Sequence, residues 1–131
     1  MAAPLAIAVH AATFERLHYA LVLASAAAAI GRPATLFFTG RAVHALADWR
    51  SLPAERGSAL ERDADYGARG LATFEVLLEA CRELGVRLIV CELALKAEGL
   101  EPADLQPQLG AEVAGAVSFL RAGEAGQLLF V

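Results

Sequence analysis

Lysine is almost missing from this chain: Lys96 is the only one, and ten scattered arginines supply the rest of the positive charge against fifteen acidic residues, for a net charge of −4 over 131 residues. Binding a phosphate backbone needs clustered positive charge, so no nucleic-acid partner is expected. Cysteine is nearly as scarce. Cys81 and Cys91 form no C-x-x-C pair, and neither they nor the three histidines show metal-ligand spacing, so neither a dithiol redox motif nor a metal centre is expected. The phosphate and nucleotide signatures G-x-G-x-x-G and G-x-x-x-x-G-K-[ST] are absent, as is the serine-hydrolase elbow G-x-S-x-G. The loop after the first apolar run, His10-Ala11-Ala12-Thr13-Phe14, has one hydroxyl and no glycine, which argues against a flavin. No cofactor is therefore expected.

Long hydrophobic runs are missing too. The longest nearly apolar stretch, residues 17–30, contains His18 and Ser25, is too short to span a bilayer and stops at Gly31-Arg32-Pro33, so no membrane role is expected. Residues 1–9 carry no basic n-region, which points to a cytoplasmic protein with free thiols. Yet the chain is 57% hydrophobic with a mean hydropathy of +0.50, much of it from about thirty alanines. A chain this small and this apolar is expected to hide surface in a homo-oligomer. Its length suits one domain, residues 1–131.

Apolar runs and helical periodicities alternate along the chain. Residues 5–9 read as a buried strand; Phe14, Leu17, Leu21, Ala24 and Ala28 then recur at helical spacing, with Thr13 as N-cap and Gly31 as stop. Residues 34–38 read as a second strand with Thr39-Gly40 as its exit, and a short helix starts at Gly40. Residues 48–70 form a charged, solvated excursion anchored by Trp49, Leu52, Leu60 and Tyr66, in which Ser58 and Glu61 have the form of a capping box. An amphipathic helix is expected over residues 71–84, with Leu71, Phe74, Leu78 and Cys81 on its apolar face, then a strand over 86–90 and a helix over 92–98. Pro102 suits a first helical position, 111–114 a short strand, and Val113, Val117 and Leu120 a final helix; 128–131 closes as a strand. This alternation predicts a three-layer α/β/α sandwich with a mainly parallel sheet.

Parallel strands share one carboxyl edge, so His10, Thr39, Gly40, Arg41 and Cys91 are expected on the same rim. Cys91 lies between a strand and a helix, where a thiolate is favoured by free N–H groups, and is the candidate nucleophile. His10 would assist it if the first and third strands are neighbours. Thr39, Gly40, Arg41 and Glu92 are candidate ligand-binding residues. Cys81 reads as a core thiol, His18 and His44 as packing or surface residues, and Lys96 as solvent-exposed. A lone thiol suits group transfer better than dithiol oxidation.

The order of elements, with Ala28-Ala29-Ile30-Gly31-Arg32-Pro33-Ala34, Leu36-Phe37-Phe38-Thr39-Gly40, Leu84-Gly85-Val86, Cys91-Glu92-Leu93-Ala94-Leu95 and Val113-Ala114-Gly115-Ala116-Val117, resembles the DsrE/DsrF-like family of small sulfur-relay proteins. The resemblance implies a five-stranded parallel sheet of flavodoxin-like topology, trimers or hexamers, and a persulfide on Cys91 that takes sulfur from one protein partner and passes it to another. The sequence departs from the family pattern after Cys91, where Leu93 and Leu95 stand in place of methionines and Ala94 in place of serine. The alternative is a non-catalytic oligomeric module that holds a small ligand, with Cys91 only part of the pocket wall.

Overall fold

A computed structural model describes residues 2–131; Met1, the first residue of the expected domain, lies outside them. Five strands, β1 (Leu5–Val9), β2 (Ala34–Phe38), β3 (Arg87–Cys91), β4 (Glu112–Ala114) and β5 (Gln127–Phe130), form one sheet in the order β4-β3-β2-β1-β5, every pair parallel. Helices α1 (Phe14–Ala29), α2 (His44–Asp48), α3 (Ala59–Ala68), α4 (Phe74–Glu83), α5 (Glu92–Ala97) and α6 (Ala116–Ala122) connect them. The architecture is the three-layer α/β/α fold expected from the alternation.

The direction of each crossover decides which face its helix covers. From β1 to β4 the chain steps one way across the sheet, and right-handed crossovers put α1 and α4, which pack on each other, on one face. The return from β4 to β5 runs the opposite way, which puts α6 on the other face, where Phe119 stacks on Phe37 of β2 at 5.4 Å between ring centres. β1 and β2 are buried throughout, as continuous apolar strands in a doubly covered parallel sheet should be.

Three expectations need correction. The helix expected from Leu71 begins only at Phe74, because Gly70, at φ +81°, ends α3 and Thr73 caps α4 by accepting the Val76 N–H. Leu71 is left half-exposed ahead of the helix. Thr13 holds the N-cap position of α1, but its hydroxyl makes no capping bond. The excursion is anchored as expected at Trp49 and Leu52, which are buried with Ala59, and Phe14 packs against Trp49, Tyr66 and Phe74. Leu60, one of the expected anchors, faces solvent. The capping box of Ser58 and Glu61 forms as the motif implies and opens α3.

Glu15 fastens this excursion to the first turn of α1. Its carboxylate accepts the Glu55 N–H at 2.8 and 3.0 Å and meets Arg62 Nε at 3.3 Å. Burial pushes this carboxyl up, but the N–H groups of Glu55, Glu15 and Arg56 and the Arg62 guanidinium outweigh it and hold it below the ordinary value. A depressed carboxyl contributes stability that is present above its unfolded value and lost as pH falls through its folded value. Glu15→Gln should therefore lower stability at neutral pH by roughly 1 kcal/mol. Urea unfolding at pH 7 and at pH 3 checks this: the gap to the parent protein should shrink in acid, and an unchanged gap would mean that the charge is not what matters.

Candidate functional site

The carboxyl edge of the sheet gathers the expected residues on one rim, but the strand order separates two of them. β2 lies between β1 and β3, so His10 and Cys91 follow strands that are not neighbours. At about 4.8 Å per strand their backbones stand roughly 10 Å apart. The condition under which His10 was expected to reach the thiol is not met. The His10 ring instead stacks on Phe130 of β5 at 5.9 Å and lies over Gly40. Gly40 has φ +55°, and a Cβ there would come within 2.8 Å of the imidazole, so this corner wants glycine for both reasons.

The topological switch falls elsewhere, at Cys91. By the handedness of the crossovers the chain leaves β3 toward the face of α1 and α4, whereas it leaves the adjacent β4 toward α6. Cys91 pairs in register with Ala114, and just beyond them the two exits diverge and open a crevice between α5 and α6. This crevice, about 520 Å³, is lined by Cys91, Glu92, Leu93, Lys96, Gly115 and Ala116. Cys91 is 8% exposed, at the floor. It is the N-cap of α5, but α5 has only six residues and the side chain makes no capping bond to it. Sulfur is thus placed in the crevice by the end of a strand rather than held against a long helix.

The walls around the thiol are short of charge. Glu92 and Lys96 pair with each other at 3.3 Å on the outer turn of α5, both largely exposed, which leaves their sum near zero. Leu93 supplies an exposed apolar wall. Lys96 is solvent-exposed as expected, yet it also borders the crevice. Its i, i+4 spacing from Glu92 was the available signal. Gly115 and Ala116 were missed as site residues, because nothing local to Cys91 announces that β4 lies beside it.

The remaining residues sort clearly. Cys81 is fully buried, its Sγ lies 3.7 Å from the Leu21 carbonyl oxygen, and burial pushes its thiol up to about 11. His18 packs between Phe14 and Tyr66 with its Nε2 2.8 Å from the Ala72 carbonyl oxygen. His44 pairs with Glu98 at 2.9 Å. Thr39 follows β2 with its N–H donated to Val9 O, and Arg41 borders a separate cleft beside the excursion. Among the described residues no group of three or more His, Cys, Asp or Glu could hold a metal ion, and no helix is long and apolar enough to cross a membrane.

A doubly wound parallel sheet with a thiol at its switch point defines a class of small α/β proteins whose site lies beyond the strand ends. Within it, this chain belongs to the DsrE/DsrF-like family, whose model matches residues 5–130, nearly the whole chain. That family is associated with sulfur relay. No curated protein matches the chain.

The two thiols should differ sharply toward an alkylating agent. In the native protein at pH 8, iodoacetamide should modify Cys91 alone, and Cys81 should react only after unfolding, as peptide mass mapping would show. Equal labelling of both cysteines in the native protein would contradict this burial pattern.

Proposed function

We propose that the protein is a cytoplasmic sulfur carrier of sulfurtransferase type, in which Cys91 accepts a sulfane sulfur as a persulfide and passes it to a protein partner. The observation that carries this reading is the lone thiol on the floor of an open crevice at the switch point, with the second cysteine sealed in the core. The chemistry needs little from its surroundings. The Cys91 thiolate attacks the outer sulfur of a donor persulfide, the donor's S–S bond breaks, and the donor leaves as a thiolate while Cys91 holds the transferred sulfur. An acceptor thiolate reverses the step. The crevice, about 520 Å³, leaves room for the approach of another protein's cysteine, and His10, two strands away, takes no direct part. Glu92 and Lys96 border the approach and would meet the partner. Both cysteines as free thiols fit a reducing compartment.

A homo-oligomer, trimeric or hexameric, is part of the proposal. Val117 and Leu120 of α6, Val113 of β4, and Leu128 and Phe130 of β5 are all exposed large apolar residues on the later part of the chain. Val117 and Leu120, three positions apart, share one face of α6, and an exposed apolar helix face of this kind is where a second copy would pack. Light scattering at micromolar concentration should give three or six copies, and a monomer there would contradict the assembly.

Incubation with a small-molecule persulfide should add about 32 Da, one sulfur atom, to the intact protein, and the addition should be lost in Cys91→Ser and kept in Cys81→Ser. If Cys91 accepts iodoacetamide but no sulfur, the crevice is a binding pocket with a cysteine in its wall and the carrier reading fails.

A further inference from the structure

A second cleft opens on the same rim, beyond the ends of β1 and β2, and shares no lining residue with the Cys91 crevice. Ala12 of the β1–α1 loop, Arg41 and His44 after β2, and Ser51, Leu52 and Pro53 of the excursion enclose about 270 Å³. The excursion therefore builds one wall of a cavity. Pro53 is held there by its carbonyl, which accepts the Phe14 N–H at the start of α1.

Arg41 is the one permanently charged side chain that lines the cleft. Arg41, like Arg16, Arg56 and Arg121, makes no ion pair or side-chain hydrogen bond among the described residues, and of these four it alone lines this cleft, whereas Arg50, Arg62, Arg69, Arg82 and Arg87 are paired. The Arg41 guanidinium keeps all its donors for a ligand. The Ser51 hydroxyl also lines the cleft, but it donates its proton to Asp48 O at 2.7 Å and presents only lone pairs there. His44 brings a ring whose Nε2 is taken by Glu98. That bond ties down the Glu98 carboxylate. Ala12, Leu52 and Pro53 add an apolar side. A fork of free donors beside apolar walls, in a volume just under the usual range for drug-sized ligands, fits a small organic anion.

We propose that this cleft binds a small carboxylate, with Arg41 as the recognising fork. The site is independent of the persulfide chemistry on Cys91. The test uses succinate as the probe on the full chain, followed by amide chemical shifts. Shifts at Ala12, Arg41, His44 and Ser51 should saturate in the millimolar range. Arg41→Gln should weaken binding at least about tenfold, the loss expected when a charge-assisted bidentate pair is removed. Arg41→Lys should lie between the two, and Arg50→Gln, whose partner is Asp48, should bind as the parent does. Arg41 is exposed, so its variants should fold, and their spectra report this directly. Absence of saturable shifts, shifts spread over the surface arginines, or binding indifferent to Arg41 would each overturn the proposal.

Discussion

An all-parallel sheet cannot leave its faces to water, because each crossover between parallel neighbours lays connecting chain across a face, and the strands it covers are apolar on both sides. In this protein that constraint is met unequally. α1 and α4 seal one face with Phe14, Leu17, Leu21, Phe74 and Leu78, all buried. The other face receives a single seven-residue helix, α6, with no fully buried residue of its own. The same asymmetry produces both features on which the proposed function rests: reversal of direction after β4 opens the crevice at Cys91, and thin cover by α6 leaves apolar side chains outward.

The site follows from chain direction more than from any local motif. Cys91 is aligned by its register with Ala114, and the crevice exists because the two strands send their chains to opposite faces. Two clefts then divide the rim. The excursion, pinned by Glu15 and by the Trp49 indole donating to Glu75 at 2.7 Å, shapes the one near β1 and β2, while α5 and α6 shape the one at the thiol.

Much of this was legible in the residues. The continuous apolar runs of β1, β2 and β3 mark strands buried on both faces, and the spacing of Phe14 to Ala28 marks α1. The contrast between Cys81 on an apolar helical face and Cys91 at a strand end was also readable. What was not legible depends on long-range placement. Leu71 continues the period of α4 but lies outside it, because Gly70 and Thr73 fix the boundary. Strand order is set by packing and handedness, so nothing near His10 or Cys91 tells that β2 separates them, or that Gly115 and Ala116 face the thiol. Trp49 and Leu52 were legible as apolar anchors amid the charge, whereas nothing local told that Leu60 faces solvent.

The central claim is that sulfur bound to Cys91 is sulfane sulfur, held for transfer. Cyanide tests it directly, because it removes the outer sulfur of a persulfide as thiocyanate and leaves the cysteine thiolate behind. After loading and removal of free donor, cyanolysis should release close to one thiocyanate per chain from the parent protein and none from Cys91→Ser. Loaded protein that yields no thiocyanate, or equal yields from the parent and the variant, would contradict the account.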